Sequence, residues 1–403
     1  MLERITLEEA VKLICEHAHK CTETEVVEVK KAGGFLLAED IFAGIDNPPF
    51  PRTPVDGYAV RAEDLKGAGK DTPVTLKVVG CIYAGQDGQA QKIGPGEAMR
   101  IMTGGPFPKG SDTAVKQEDT DYGEELVSIY KEQKPFDNYC YQGEDYQKDS
   151  LLLKKGDLIT FAEQGILAAT GRTSVKVYKK PRICLITTGD EVCAPGTPLL
   201  PGKIYDSNGM MIASRLCELG VEPVSVKHIA DSEEEMAKEL KKACEDADVV
   251  ITTGGVSVGE KDILHNALKI AGAEKIFWKV SIQPGTPSIF SICEDTLIIS
   301  LSGNPFGAMA NLELLVRPLL LKMTGDKRFL MEKREGILKE TFSKKSKGRR
   351  FVRAVYKDGE VSFPKGIYSS GAIGTLRGCN CFLDIPAGTP PMEIGTKVTI
   401  WKL

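Results

Sequence analysis

The sequence predicts a multidomain α/β plus β protein, in which a doubly wound, mostly parallel sheet domain accompanies an inserted β domain and a C-terminal β domain. Strand-like and helix-like runs alternate over residues 182–272, as they do where parallel strands are joined by right-handed helical crossovers. Short strand-like runs separated by Gly and Asp turns fill residues 46–139, and β-like alternation returns after residue 326. With 403 residues the chain is also too long for one compact core.

The predicted elements are justified in chain order. An amphipathic helix spans residues 6–19, with Thr6 as its cap. The Pro-rich stretch IDNPPFPRTPVDGYAV then interrupts regular structure, and FAEQGILAATG is helix-like again. In the last region, KKSKGRRFVRAVYKDGEV predicts a hairpin that turns at Asp358-Gly359. The predicted domains are a discontinuous linking domain (1–45 and 140–178), the inserted β domain (46–139), the α/β domain (179–326) and the C-terminal β domain (327–403).

Composition excludes several classes of partner. A formal net charge of -4 provides no general attraction to nucleic acid or to an anionic membrane. The N-terminal MLERITLEEAVKLICEH carries acids rather than a signal sequence, and no apolar run reaches membrane-spanning length. Eleven cysteines are scattered apart from Cys379-Asn380-Cys381, which favours reduced thiols over disulfides or a zinc site. We therefore expect a cytoplasmic protein with no nucleic-acid or membrane partner.

Three glycine-containing loops follow predicted parallel strands: TTGDE (187–191), TTGGVSVGEKD (252–262) and LSGNPFG (301–307). Such loops meet at the carboxyl edge of a parallel sheet, where glycine lets backbone N–H groups approach anionic oxygen atoms. The alternative is that each glycine only closes a turn and each acid only caps a helix. Three loops at one edge favour a nucleotide or phosphate-ester site. The candidate ligand-binding residues are Asp190, Gly254, Gly255, Ser257, Gly259, Glu260, Gly303, Asn304 and Pro305.

Acidic and hydroxyl side chains in two parts of the sequence complete the candidate set. Asp190, Glu191, Glu260 and Asp262 could hold Mg²⁺ beside a phosphate. Further upstream, Asp56 in PFPRTPVDGYAV, Thr103 in RIMTGGPFPKGSD and Asp145 in CYQGEDYQK each combine a glycine-rich backbone with an oxygen ligand. For Asp56-Gly57 the alternative is a simple turn.

Taken together, the motifs resemble those of a known family, in the family's order and nearly end to end. TPVDGYA, RIMTGGPFPKGSD, GED, TTGDE, IYDSNG, TTGGVSVGEKD, FWKVSIQPG and SGNP are similar to the motifs of the MoeA family of molybdopterin molybdenumtransferases, which is related to the C-terminal domain of gephyrin. The resemblance implies an elongated homodimer of four-domain subunits, in which 179–326 is the molybdopterin-binding domain. It also implies a reaction of adenylylated molybdopterin with molybdate that needs Mg²⁺ and releases AMP. A molybdopterin adenylyltransferase and acceptor molybdoenzymes are the further partners it suggests.

The resemblance also assigns residue roles. Catalytic positions of the family's cleft, which lies between one subunit's sheet domain and the other's upstream loops, correspond to Asp56, Thr103, Asp145 and Lys279. The metal-ligand positions correspond to Glu191, Asp231 and Asp262. Asp206 and Asn208 correspond to nucleotide-side substrate positions, and capping of the following helix is the alternative role for both.

The chain departs from the family pattern near the cleft. The usual Lys-Pro-Gly-Lys-Pro is Gln283-Pro284-Gly285-Thr286-Pro287 here, so two lysines are missing. The usual Pro-Gly-Asn-Pro begins with Ser302, and a serine common two residues after its last proline is Gly307. Because the loss of two cations weakens binding of a dianion, three readings stay open. The chain is a molybdenum-inserting enzyme that uses arginines of GRRFVR, a diverged paralogue that inserts tungstate, or a non-catalytic molybdopterin carrier or scaffold. The retained acids favour an enzyme.

Overall fold

The computed structural model describes residues 1–256 and 263–403. Its contacts divide the chain into two compact units. One unit, called the sheet unit below, comprises Met1–Val26, Gly34–Leu36 and Lys176–Leu403, and the other comprises Val27–Gly33 and Leu37–Val175. Within the described residues, no helix is long and apolar enough to cross a membrane.

The α-helices of the described residues are α1 (Leu7–His17), α2 (Phe161–Ala169), α3 (Asn208–Glu218), α4 (Glu233–Asp246), α5 (Leu264–Ala271), α6 (Pro305–Asn311) and α7 (Arg317–Thr324). A π-helical turn, Leu312–Val316, joins α6 to α7. Helix α1 begins as the sequence predicts, because Thr6 and Glu9 form a reciprocal capping box.

The strands of the described residues are β1 (Leu2–Ile5), β2 (Thr24–Glu28), β3 (Ile41–Phe42), β4 (Gly57–Val60), β5 (Val74–Ile82), β6 (Glu97–Ile101), β7 (Thr113–Lys116), β8 (Leu126–Ile129), β9 (Leu151–Leu153), β10 (Ser174–Tyr178), β11 (Ile183–Thr188), β12 (Val192–Cys193), β13 (Ile204–Tyr205), β14 (Ser225–Ile229), β15 (Val249–Thr253), β16 (Glu274–Val280), β17 (Ile282–Gln283), β18 (Ile289–Cys293), β19 (Thr296–Leu301), β20 (Lys333–Leu338), β21 (Arg349–Lys357), β22 (Glu360–Ser362), β23 (Cys381–Ile385) and β24 (Lys397–Lys402).

The sheet unit contains a seven-stranded sheet in the order β1-β16-β18-β19-β15-β11-β14. Strands β19, β15, β11 and β14 are parallel neighbours, which confirms the predicted alternation. Side chains of successive strand residues enter two different cores. Leu185 and Ile251 pack with α1, α3, α6 and α7, whereas Ile186 and Val250 pack with α4 and α5. Helices therefore cover both faces, as expected for a doubly wound sheet.

Two strands of this sheet were not predicted from the sequence. Strand β1 joins β16 in parallel, and only Ile5 of its four residues is buried, so it lacks the apolar run of a central strand. Strand β18 is antiparallel to both β16 and β19. It lies between two predicted strands, where the alternation of strand and helix stops.

The C-terminal region forms a small closed β structure. Its strands follow the order β17-β21-β22-β20-β24-β23, and β23 pairs back to β21. The predicted hairpin is confirmed, because β21 and β22 are antiparallel and Asp358 and Gly359 turn between them with φ of 51° and 84°. Strand β17 pairs with β21 and thereby places Gln283 beside Arg350.

The second unit contains the inserted β structure predicted from the short strand-like runs. Its five strands follow the order β7-β4-β6-β5-β8. Tyr58, Leu76, Val115 and Val127 are buried on one side of this sheet, and the sheet carries the loops that hold Asp56 and Thr103.

Candidate functional site

A cavity of about 740 Å³, lined mainly by residues with polar side chains and by glycines, opens at the carboxyl ends of β11, β15 and β19. All three glycine loops predicted from the sequence reach it, through Thr188, Gly254 and Gly303. Strands β11 and β15 each end on two threonines, and Ser302 directly follows the last residue of β19. The Thr253 hydroxyl donates to the Ser302 carbonyl over 2.9 Å, so the ends of β15 and β19 are tied together.

Asp206 and Asn208 lie on one wall of the cavity. Asp206 accepts hydrogen bonds from the Thr187 hydroxyl (2.8 Å) and from the Gly209 N–H (2.8 Å), so it lines the cavity and also caps the first turn of α3. Asn208 Nδ2 donates to Thr253 Oγ1 (3.0 Å) and to the Gly303 carbonyl (2.8 Å). Its Oδ1 is buried and has no partner among the described residues, which leaves one acceptor available to a ligand.

Two carboxylates on the same cavity suit a hard cation. Asp231 accepts from the Thr188 hydroxyl (2.7 Å) and from the Asp190 N–H (3.1 Å), and Glu191 lines the cavity nearby. Mg²⁺ sites commonly use one or two carboxylates together with substrate phosphates, so these residues fit the ion. In the described part of the chain, no three His, Cys, Asp or Glu side chains converge as a metal site.

Part of the predicted site lies outside the described residues. This applies to Ser257, Gly259, Glu260 and Asp262. Asp190, Gly255, Asn304 and Pro305 are described, and all of these except Asp190 line the cavity. The Asp190 side chain instead accepts from the Asp231 N–H over 3.2 Å, and its carbonyl accepts from Lys203.

Gly254 is required by the fold as well as by any ligand. Its φ is +100°, and a Cβ atom at this position would lie 2.3 Å from the Thr188 carbonyl oxygen. The first glycine of this loop therefore permits β15 to end close against β11. Gly255 has more room, since a Cβ atom there would meet Thr188 Cγ2 at 3.4 Å.

Lys279 does not line the cavity. Its Nζ lies 3.1 Å from Glu3 Oε1 and 3.4 Å from the centroid of the Trp278 ring. The lysine thus has an ion-pair partner on β1 and a cation–π contact on β16.

The upstream candidates lie in the other unit. Asp56 Oδ1 accepts from the Thr103 N–H and hydroxyl, each over 2.7 Å. These two hydrogen bonds, the backbone one first, lower the pKa of the Asp56 carboxyl. Asp145 Oδ2 accepts from Asn47 Nδ2 over 2.9 Å. The structure therefore pairs Asp56 with Thr103 as a preorganised carboxylate.

Several residues at the cavity were missed by sequence reasoning. Thr187 connects Asp206 to His228, whose Nδ1 lies 3.1 Å from the Thr187 hydroxyl. The doubled threonines that end β11 and β15 were a usable signal, because ligands bind outside the carboxyl ends of the strands in open α/β sheets. Gly371 and Ile373 also line the cavity, but they come from the loop before β23 and carry no local pattern.

A second cavity of about 540 Å³ lies between the 283–287 turn and the C-terminal β structure. Arg350 Nη2 donates to Gln283 Oε1 over 3.0 Å. Arg353 is fully buried, with its guanidinium 4.2 Å from the centroid of the Phe306 ring, and burial lowers its pKa. The Nε atoms of both arginines are buried without a partner among the described residues. The cavity thus has two arginines in its lining, of which Arg350 contacts the turn that lacks the family's lysines and Arg353 donates to the carbonyls of Ser369 and Ala372.

A doubly wound domain with a carboxylate- and hydroxyl-lined cavity at its strand ends, combined with two β structures, defines a multidomain protein with a candidate ligand site at the sheet edge. Comparison with known proteins identifies the family. Three family profiles match in order: the MoeA N-terminal region (domain I and II) at residues 5–171, a probable molybdopterin binding domain at 184–322, and the MoeA C-terminal region (domain IV) at 335–403. The chain belongs to the MoeA family.

Individual relatives agree over nearly the whole chain. A molybdopterin molybdenumtransferase of Bacillus subtilis is 36% identical and covers 99% of this chain and 95% of its own length. One from Staphylococcus epidermidis is 34% identical and covers 98% and 95%. The crystal structure of a molybdopterin biosynthesis MoeA protein from Pyrococcus horikoshii superposes with a TM-score of 0.82 at 32% identity and covers 99% of each chain.

Proposed function

We propose that this protein is a molybdopterin molybdenumtransferase of molybdenum cofactor biosynthesis, which reacts adenylylated molybdopterin with molybdate and releases AMP. Membership of the MoeA family over nearly the full chain supports the activity. The single observation that carries it is the cavity at the ends of β11, β15 and β19, where Asp206, Asn208, Asp231 and Glu191 meet. Its size and polar lining suit a ligand with a pyrophosphate.

The residues that line the cavity have different roles in this proposal. Asn208 holds the loops after β15 and β19 in register and presents Oδ1 as an acceptor for a ligand N–H or O–H. Glu191 and Asp231 would hold Mg²⁺ against the pyrophosphate. A bound magnesium ion supplies charge neutralisation at the phosphoryl oxygen atoms. The Thr188 hydroxyl and the Asp190 N–H orient the Asp231 carboxylate for this task.

In this proposal, two arginines provide the positive charge that attracts molybdate, in place of the missing lysines. Arg350 contacts Gln283 directly, and both Arg350 and Arg353 have buried Nε donors without partners among the described residues. A dianion attracts such donors strongly, because a desolvated cation interacts more strongly than one in water. Molybdate binding should therefore survive the loss of both lysines.

A homodimer completes the proposal. The paired Asp56 and Thr103 form a preorganised, exposed carboxylate on the second unit, and we assign this pair, with Asp145, to the cavity of a partner subunit. Phe42 and Leu151 pair across β3 and β9 with exposed side chains, as an interface between subunits would require. We also place the reaction in the cytoplasm, because eleven free thiols suit a reducing compartment.

The test is AMP release by the purified protein with adenylylated molybdopterin, Mg²⁺ and either molybdate or tungstate. We expect release that depends on both Mg²⁺ and molybdate. Release only with tungstate would make the protein a tungsten-inserting paralogue. A pterin ligand that binds without any AMP release would show a carrier, which the retained acids of the cavity do not favour.

The shared site has its own test. Mixing Asp56→Ala subunits with Asp231→Ala subunits should restore one intact site in each heterodimer and recover activity that neither variant has alone. A mixture no more active than its components would exclude the shared site but leave the activity of the parent unaffected.

A further inference from the structure

The loop after β19 departs from the family pattern at two positions, and the structure couples them. Ser302 stands where the family has proline, and Gly307 stands where it has serine. A Cβ atom added to Gly307 would lie 2.6 Å from Ser302 Oγ and 2.8 Å from Ser302 Cβ. Nonbonded atoms do not approach so closely, so Ser302 in its present position and a serine at 307 exclude each other.

The same distances place the Ser302 hydroxyl in the space that a side chain at position 307 would enter. Two covalent bonds of roughly 1.5 Å each would span more than this 2.6 Å separation, so the Ser302 Oγ atom lies within reach of where the Oγ atom of a serine at position 307 would be. We propose that Ser302 supplies the hydroxyl that the family pattern places at position 307, and that this hydroxyl donates a hydrogen bond to an oxygen atom of the tetrahedral oxyanion substrate. This assignment rests on the proposed function and makes Ser302 a specificity-determining residue of the same site.

Ser302 is held rigidly enough for this role. It is only 4% exposed, and it lines the cavity at the strand ends. Its N–H donates to Asn311 Oδ1 over 3.1 Å, and its carbonyl accepts from the Thr253 hydroxyl over 2.9 Å. The backbone on both sides of the side chain is therefore fixed, as a preorganised donor requires.

The hydroxyl also has its proton available. Ser302 Oγ accepts from the Asn304 N–H over 3.3 Å, which uses one of its lone pairs. Among the hydrogen bonds of the described residues, none takes the Ser302 hydroxyl as donor, and a serine O–H rotates to suit an acceptor that arrives.

Asn311 connects this serine to the turn that lost its lysines. The Asn311 Nδ2 donates to the Gly285 carbonyl over 2.8 Å, while its Oδ1 holds Ser302. The Cβ position of residue 307 also lies 3.4 Å from the Gly285 nitrogen. The hydroxyl is thus beside the 283–287 turn, whose Gln283 contacts Arg350. Under this proposal, an oxyanion beside the turn accepts from the serine hydroxyl and is attracted by the Arg350 guanidinium, which reaches the turn from β21.

Four variants test the assignment. Ser302→Ala removes only the oxygen atom, and Ser302→Gly also clears the Cβ atom. Ser302→Gly/Gly307→Ser restores a hydroxyl from position 307, and Ser302→Gly/Gly307→Ala is its matched control with a methyl group alone. The readouts are the molybdate concentration for half-maximal AMP release, equilibrium dialysis with labelled molybdate, calorimetric pterin binding and thermal melting.

We expect Ser302→Ala and Ser302→Gly to raise the required molybdate concentration by roughly tenfold to a hundredfold, as loss of a hydrogen bond to a charged group does. Pterin affinity should stay within about twofold of the parent's, and Ser302→Gly/Gly307→Ser should recover at least half of the loss on a logarithmic scale. Unchanged molybdate dependence in Ser302→Ala would overturn the assignment. Equal recovery with Gly307→Ala would also overturn it, because the methyl group would then suffice.

Dialysis separates this proposal from the proposed function. A parent that releases no AMP would refute the function, yet weaker molybdate binding by folded Ser302→Ala would still support the serine's role. If the parent and Ser302→Ala bind molybdate equally, or if neither binds it, the serine assignment is wrong.

Discussion

Carboxylates in two regions of the sheet unit, the π-helical turn and the cavity at the strand ends, have different kinds of partner. In the π-helical turn, Glu313 is fully buried and accepts from Arg215 Nε (2.7 Å) and Arg317 Nη1 (2.6 Å). Arg317 also donates to the carbonyls of Arg328 and Leu330. At the cavity, Asp231 and Asp206 have hydrogen-bond donors but no cationic partner among the ion pairs of the described residues.

The difference separates structural charge from functional charge. A buried carboxylate that is neutralised by two guanidinium groups cannot be removed without leaving buried, uncompensated charges, and it offers nothing to a ligand. Carboxylates that accept hydrogen bonds from hydroxyls and N–H groups, but have no cationic side chain as a partner, can still bind a cation. The comparison therefore predicts opposite consequences of removing an acid from each region.

The largest effect on stability should come from Glu313→Ala. Two arginines would be left buried without their counter-ion, which costs about 3–5 kcal/mol of the free energy of unfolding. Denaturant titration measures the loss. Glu218→Ala is the matched control, because Glu218 also pairs with Arg215 but its side chain is 66% exposed, and it should cost at most about 1 kcal/mol. Equal losses for the two variants would contradict the structural role of Glu313.

Asp231→Asn should show the opposite pattern. AMP release should fall by on the order of tenfold to a hundredfold, as expected when an oriented metal ligand is lost, whereas the denaturation midpoint should hardly change. Asp246→Asn, at the exposed end of α4, is the matched control for charge and should leave turnover unaffected. A Mg²⁺ titration in which Asp231→Asn matches the parent would assign Asp231 to a structural role alone.

Gly254 and Gly255, in the loop after β15, test which of the two glycines the fold itself requires. Both glycines have a positive φ, +100° at Gly254 and +61° at Gly255, but only Gly254→Ala forces a Cβ atom to within 2.3 Å of the Thr188 carbonyl oxygen, since the nearest atom to a Cβ at Gly255 is a methyl carbon at 3.4 Å. We expect Gly254→Ala to be the less stable variant by about 1–3 kcal/mol. Urea melts of the two variants give the comparison, and equal midpoints would show that the loop relaxes freely.

Restoring the lysines tests whether arginines already supply the charge. Arg350→Gln should raise the molybdate concentration for half-maximal AMP release by roughly tenfold, since a partly screened charge pair is worth on the order of 1–4 kcal/mol. Gln283→Lys in that background should recover most of the loss, and the recovery should shrink at high salt. Arg334→Gln, whose guanidinium pairs with Glu332 on the surface, is the control. If Arg350→Gln behaves like Arg334→Gln, the arginine does not replace the lysines.

The smallest expected effect is on the Asp56 carboxyl. Its pKa is held below the ordinary 3.8 by the Thr103 N–H and hydroxyl. Thr103→Val removes only the hydroxyl, so the pKa should rise part of the way, as an NMR titration of Asp56 can follow. Because the folded pKa is lowered, the clamp stabilises the loop above the ordinary pKa and is lost as the pH falls through the lowered value. If the Asp56 pKa is unchanged in Thr103→Val, the hydroxyl does not contribute, and the Thr103 N–H alone accounts for the lowered pKa.

The sequence predicted the parallel strands and the loops because hydrophobic runs and glycines are local signals. The loops after β11 and β15 lie where the sequence predicted them. A local pattern shows that Gly254 belongs to a turn, but not that the Thr188 carbonyl of the neighbouring strand leaves no room for a side chain there. Strand β1 was missed because its partner β16 lies far along the chain, and a four-residue edge strand buries almost nothing by itself.

The departures from the family pattern illustrate the same limit. Ser302 and Gly307 look like two unrelated losses in the sequence, and only their separation in space shows that one side chain excludes the other. Arg350 likewise becomes relevant to Gln283 through the pairing of β17 with β21, which no local pattern encodes.

The central claim is that the cavity at the carboxyl ends of β11, β15 and β19 binds the adenylylated pterin. Calorimetric titration of adenylylated molybdopterin into Asn208→Ala tests it most directly, with Asn266→Ala as the control because Asn266 donates a hydrogen bond to Glu233 at the surface and does not line the cavity. Asn208→Ala should bind at least roughly tenfold more weakly than the parent, since it loses a buried acceptor and the link between two loops, while Asn266→Ala binds as the parent does. Equal affinity for all three folded proteins would contradict the claim.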